Sequence, residues 1–195
     1  MPPKAKFTRD EIIQTAFLIA KEEGLEKITA RELGSRLGSS ARPIFTVFET
    51  MEQIKAEVLR CAKDLYRQYV QRGLQQKLAF QGVGIAYITF ALEEPKLFGL
   101  LFMNPDTKQT GVDQILPLID ESYEQILQSV QIPYGLNREQ ADMIYQHLWT
   151  YSHGIAAMCA TGLCRYTTQQ IAERLTEIFR SLLMMEKAGG ARHEN

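Results

Sequence analysis

The sequence predicts an all-α protein of about nine helices, on three observations. Helix-start signatures recur along the chain: Thr8 with Glu11, Thr29 with Glu32, Thr50 with Gln53, Asn137 with Gln140 and Thr167 with Gln170. Each sets a capping residue three positions before a Glu or Gln that can return a hydrogen bond. Apolar residues then follow at helical spacing, as in Ile12, Ala16, Ile19 and Ala20. No run prefers a strand, and there is no internal repeat or low-complexity segment.

The first helix starts at the Thr8 cap, with Phe7 and Ile12 as its hydrophobic staple, and ends in a left-handed cap at Gly24. The second starts at Thr29. Glu32 closes its capping box, Ile28 faces Leu33, and Gly38 stops it after Leu37. A third helix follows at once from Ser40. Proline inside a helix costs roughly 3 kcal/mol. With Ser40 as N-cap, however, Pro43 is the third helical residue, where the backbone N–H has no intrahelical acceptor to lose.

The fourth helix opens at the Thr50 box and runs to about Arg72. Ile85 to Glu94 reads as the fifth, and Pro95 suits the start of a sixth, PKLFGLLF. A loop covers 104–111. The seventh helix is expected from about Val112 to Val130, with Pro117 in its first turns or at a kink. A Pro-Tyr-Gly turn at 133–135 leads to the eighth, from Asn137 to about Thr161, and the ninth runs from the Thr167 box to about Lys187. The remaining tail is expected to be disordered.

Composition narrows the function. The 195 residues, 45% of them apolar, suit one or two small domains with a real core. Net charge is -1, so any nucleic-acid binding must use local positive charge. The N-terminal arm supplies some, with Lys4, Lys6 and Arg9 against Asp10. No segment approaches the ~18 apolar residues of a membrane span. The N-terminus lacks the apolar core of a signal peptide, so a cytoplasmic location is expected. Three cysteines, Cys61, Cys159 and Cys164, form no disulfide framework and no zinc spacing. His147 and His153 do not share a helical face at i, i+4, so no metal site and no cofactor are expected. No Ser-His-Asp, paired-carboxylate or phosphate-loop pattern points to an enzyme.

Two short helices joined at Gly38 make a helix-turn-helix. The second helix of that motif enters the DNA major groove, its N-terminal residues toward the base edges. Arg42 then suits bidentate pairing with guanine O6 and N7, a phosphate contact being its other role. Thr46 lies one turn on. Ser40 offers a hydroxyl and a helix N-terminus to phosphate, and Thr29 does the same one helix earlier, with Arg31 beside it. Ile44 and Phe48 read as core.

The string ITARELGSRLGSSARPIFTVFETMEQI, residues 28–54, resembles the DNA-binding segment of the tetracycline-repressor (TetR) family. Thr29, Leu33, Gly38, Ser40, Phe45, Phe48 and Glu52 occupy its pattern positions, and Ile12, Ala16, Phe17 and Gly24 match its first helix. YITFALEEPKLFGLLF (87–102) and LWTYSHGIA (148–156) resemble one regulatory-domain class with a Trp…His-Gly motif. The chain departs from the pattern at Ser39, Phe45, Glu49 and Met51, where the family often has an apolar residue, a tyrosine and two lysines.

The resemblance implies a helix-turn-helix domain over residues 1–48 and a helical ligand-binding and dimerisation domain over 49–195. It implies a homodimeric repressor on a palindromic operator, released by a small effector. The other reading is a helical interaction protein of this fold, without a ligand response or with DNA binding lost. The implied DNA-binding residues are Lys4, Lys6, Thr29, Arg31, Ser39, Ser40, Ala41, Arg42, Pro43, Phe45, Thr46 and Lys55. Tyr66, Phe90, Phe98, Phe102, Tyr123, Trp149 and His153 are the expected effector pocket, with the Trp149 N–H directed to His153 at i+4. Apolar residues on more than one face of the last two helices point to a dimer through Ile155, Met158, Ile171, Leu175, Ile178 and Leu182.

Overall fold

The computed structural model describes residues 6–103, 111–119 and 121–190, and among them every regular element is a helix. Among the described residues nine α-helices run in the order α1 (Arg9–Glu23), α2 (Ala30–Arg36), α3 (Met51–Leu74), α4 (Ala79–Glu93), α5 (Pro95–Phe102), α6 (Val112–Ile119), α7 (Tyr123–Tyr134), α8 (Arg138–Ala160) and α9 (Thr168–Gly190). Single 3₁₀ turns occur at Leu25–Lys27 and Ile44–Thr46. Lys4, most of the loop at 104–111 and the last five residues of the tail lie outside the described residues.

Several helix starts follow from their capping residues. Thr8 accepts from the Glu11 N–H and the Glu11 carboxylate accepts from the Thr8 N–H, a complete capping box. Asn137 with Gln140 and Thr167 with Gln170 close the same reciprocal pair. At α2 only half of the box forms. Thr29 accepts from the Glu32 N–H at 3.1 Å, while the Glu32 carboxylate accepts from Arg36 at 3.0 Å instead of turning back. Gly24 ends α1 at φ 106° and ψ 162°, outside the left-handed helical region expected of it.

Two helices differ from expectation for a physical reason. The expected seventh helix is two, α6 and α7, with Glu121 and Ser122 in the turn between them. Pro117, inside α6, has no N–H to donate, which weakens the helix there. Helix α4 starts at Ala79, well before Ile85, despite Gly82 and Gly84. Glycine disfavours a helix interior, but here a neighbouring helix requires it. A β-carbon on Gly73 of α3 would lie 2.6 Å from the Gly82 carbonyl oxygen, and one on Gly82 would fall against the Gly73 carbonyl oxygen.

The chain forms two compact units. The first takes residues 6–65 with 94–103, and the second residues 66–93 with 111–190. In the first unit α1 packs on α2 and α5, and its core is Ile12, Ile19, Ile28, Leu33, Ile44, Phe48, Ile54, Leu97 and Phe98. Lys21 reaches the nearly buried Glu94 at 2.7 Å, joining α1 to the residue that precedes α5. In the second unit α4 is central and packs on α7, α8 and α9. It buries Phe80, Val83, Tyr87, Ile88, Phe90 and Ala91, which lie all round its circumference as a central helix requires.

Gly82→Ala should therefore destabilise the protein by about 1–3 kcal/mol in urea unfolding, through overpacking against the Gly73 backbone. Gly99→Ala, in α5 where an added β-carbon meets nothing within 4 Å, should stabilise by about 0.8–1 kcal/mol through helix propensity.

Candidate nucleic-acid interface and cavities

The backbone between α2 and α3 is set by two glycines. Gly38 adopts φ 63°, the left-handed conformation that glycine enters at no steric cost. Gly34 lies inside α2, and the chain folds back onto it. The Ser39 N–H donates to the Gly34 carbonyl at 2.8 Å, and a β-carbon on Gly34 would stand 2.9 Å from the Ser39 carbonyl oxygen and 3.0 Å from the Ala41 nitrogen. Sequence reasoning missed Gly34. Its signal was a glycine spent inside so short a helix.

After this close approach the expected third α-helix does not form. Residues 41–43 are a turn, followed by the 3₁₀ turn Ile44–Thr46, with Thr46 N–H donating to the Pro43 carbonyl at 3.2 Å and Val47 N–H to Ile44 at 3.0 Å. Ser40 is thus not an α-helix N-cap, and Pro43 is not a third helical residue. Pro43 immediately precedes the 3₁₀ turn at φ -61° and ψ -26°. Its missing N–H costs little because that N–H would have had no acceptor within the turn.

The turn still sorts its side chains sharply. Ile44 and Phe48 are fully buried, while Ser40, Arg42, Phe45 and Thr46 are exposed and Ala41 and Pro43 are half-buried. Phe45 exposes 45% of a large apolar surface, which core packing does not explain. The Thr46 hydroxyl donates to the Pro43 carbonyl at 2.6 Å. Lys6 donates to the Ser39 hydroxyl at 2.9 Å, so the N-terminal arm meets this turn directly. Thr29 and Arg31 are exposed on α2, and Lys55 is half-buried on α3. Arg9 is already engaged, paired with Glu57 at 2.6 Å and lying over the Phe48 ring at 4.3 Å. Arg36 binds Glu22 at 2.7 Å, Glu23, and Glu32 at 3.0 Å, clamping α2 to α1. Those carboxylates raise its already high pKa. Glu49 is exposed and Met51 half-buried.

In the second unit, Tyr66 and Trp149 line a small cavity with Phe80, Val83, Tyr87 and Tyr145. Its volume is about 20 Å³, room for one water at most. Phe90 is fully buried, with its ring edge-on to Tyr66 at 5.4 Å. Phe98 and Phe102 contact each other at 5.3 Å in the first unit. Burial, and then its hydrogen bond to Asp142, raise the pKa of the Tyr123 hydroxyl. Trp149 does not donate to His153. The two rings stack at 4.9 Å and 20°, and His153 Nδ1 instead pairs with the Tyr87 hydroxyl at 2.8 Å.

A larger cavity of about 690 Å³, unforeseen from the sequence, lies between the start of α4, the end of α7 and the middle of α9. Of the residues singled out earlier only Leu175 lines it. Ile155, Ile171 and Leu175 are buried within one chain, at 4%, 1% and 1% exposure, and so are taken up by its own fold. Met158, Ile178 and Leu182 are half-open, and Leu163, Met184 and Met185 are largely exposed. Cys61, Cys159 and Cys164 are free thiols, and burial pushes Cys159 up, away from thiolate chemistry. Among the described residues no helix is long and apolar enough to cross a membrane.

Residues 80–185 match the family described as tetracyclin repressor-like, C-terminal domain. The matched span is more than half of the chain and runs from α4 to α9. No curated protein matches the chain.

Burial lowers the His153 pKa from its ordinary 6.5. The unfolded chain then takes up its proton first as pH falls, so folding stability should drop as pH falls below about 6.5, until the folded imidazole also titrates. An NMR titration should place the His153 ring protons below that value. Tyr87→Phe, which removes the hydroxyl paired with His153 Nδ1, should perturb this titration.

Proposed function

The chain belongs to the tetracyclin repressor-like family, and we propose that it is a homodimeric DNA-binding transcriptional repressor released by a small-molecule effector. The observation that carries the DNA reading is the turn at 41–46. It exposes Arg42, Phe45 and Thr46 while Ile44 and Phe48 anchor it, and Lys6 stands beside it. The DNA-binding role is assigned to residues 1–48 and the ligand and dimer roles to 49–195. The Trp149…His153-Gly154 string supports the Trp-His-Gly class of regulatory domain.

Arg42 carries the base-reading role. It is exposed, and among the described residues no ion pair holds it. Thr29, Arg31, Ser39, Ser40 and Lys6 are assigned phosphate contacts, with Lys55 on α3 and Lys4 on the arm. Ala41 and Pro43 shape the turn, and Phe45 offers apolar contact to a thymine methyl. The partner copy packs through Met158, Ile178 and Leu182 of α8 and α9, extended by the exposed Leu163, Met184 and Met185. An effector bound to one of two states shifts their balance by its difference in affinity for them, and so releases DNA.

Fluorescence anisotropy on an operator duplex tests this. Arg42→Ala should weaken binding by about 1–3 kcal/mol and relax preference at one base pair per half-site. An equal loss on every sequence would make Arg42 a phosphate contact. Lys6→Ala should act uniformly and lower the salt slope by about one unit. For the dimer, Ile178→Glu with Leu182→Glu should shift the protein to folded monomers in analytical ultracentrifugation and abolish two-site DNA binding. A wild-type protein that stays monomeric at micromolar concentration would contradict the dimer.

A further inference from the structure

The 690 Å³ cavity lies in the size range of small-molecule sites. Its walls are apolar, with Phe80, Leu175, Phe179 and Leu183 inside. Two of its lining residues, Leu78 and Ile132, leave 55% and 78% of their surfaces in water. Three polar side chains of the wall are already engaged: Ser129 donates to the Ile126 carbonyl at 2.6 Å, and Gln81 and Thr176 bond to each other and to the backbone. Gln81 donates to the Thr176 hydroxyl at 2.7 Å and to the Ala172 carbonyl at 3.2 Å, and Thr176 donates to that carbonyl at 2.7 Å. A wall with so much apolar surface suits a lipophilic guest better than a sugar.

Charge completes the description. Among the described residues the charged ones lining the cavity are Lys77 and Arg180, and none of them is a carboxylate. Neither cation has an ion pair among the described residues, whereas Arg9, Lys21, Arg36, Arg60, Arg67 and Arg138 each hold a carboxylate. Two unpaired cations beside an apolar cavity fit one kind of guest. We propose that this cavity binds a monocarboxylate with an apolar tail, the tail against Phe80 and Phe179 and the carboxylate held by Lys77 and Arg180.

The site also has a built-in reporter. Phe80 and Leu148 line both this cavity and the small one beside Trp149. A tail pressed against their outer faces moves side chains that touch the indole's surroundings, so occupancy should change Trp149 emission. Any effect of the ligand on DNA rests on the repressor reading. Binding itself is measured on the free protein, so the failure of either claim is distinguishable from failure of the other.

The experiment is calorimetric titration of the full chain with decanoate, 1-decanol and decyltrimethylammonium, with Trp149 fluorescence in parallel. Decanoate should bind saturably, one per chain, more tightly than the alcohol, and the cation should bind weakest. Lys77→Gln with Arg180→Gln should weaken decanoate at least about fivefold, the scale of two partly exposed charge-assisted contacts, and leave decanol unchanged. Both residues are exposed, so the double variant should melt as wild type does. Absence of decanoate binding, equal affinity for acid and alcohol, or an unaffected double variant would each overturn the proposal. Loss of dimerisation in that variant would also overturn it, by showing that a second copy of the chain covers the cavity.

Discussion

A side chain on Gly34 would collide with the backbone at 39–41, and the candidate DNA-reading surface depends on that space being empty. The close approach lets the Ser39 N–H reach the Gly34 carbonyl, and the left-handed Gly38 makes the reversal between them. Once the chain has turned there, Ile44 and Phe48 can enter the core of the first unit. Burying those two side chains leaves Arg42, Phe45 and Thr46 outside. Arg36, bound to three glutamates, and Arg9, shared between Glu57 and the Phe48 ring, hold the surrounding helices. Each of these exposed pairs contributes little alone. Their value is that they converge on the elements flanking the turn.

Much of this was legible in the sequence because capping is local. Thr8, Asn137 and Thr167 bond to groups three residues away, so a short string contains the whole interaction. Where a feature depends on a distant partner the reading failed. Glu32 has the spacing of a capping residue, but Arg36 lies within reach on the next turn and takes its carboxylate. The N-terminal part of α4 has two glycines that argue against a helix, and only the crossing with Gly73 explains them. Ser40 and Pro43 are good helix-start residues, yet the fold-back onto Gly34 sets the backbone at 39–41 through a contact that the local string does not contain. What forms there is the single 3₁₀ turn Ile44–Thr46.

The second unit shows the same limit in another form. Tyr66, Phe90, Tyr123 and Trp149 were expected to line a pocket, and in this structure they pack on one another, on Tyr87 and on Tyr145 with almost no space left. Core and pocket have the same composition, so residue type does not separate them. The open volume lies where apolar residues meet unpaired cations, a juxtaposition drawn from segments far apart in sequence: Lys77, Ile132 and Arg180. The apolar residues of α9 were likewise visible as a set. Which of them turn inward, as Ile171 and Leu175 do, depends on the neighbours they meet.

The central claim is that the exposed turn at 41–46 reads DNA as one of a symmetric pair. Sequencing of random duplexes retained by the full-length protein tests it most directly. The account predicts enrichment of two inverted half-sites whose centres lie about one helical turn apart, 10–10.5 base pairs, or a multiple of it. Retention that enriches no sequence, or a lone half-site without its inverted copy, would contradict it.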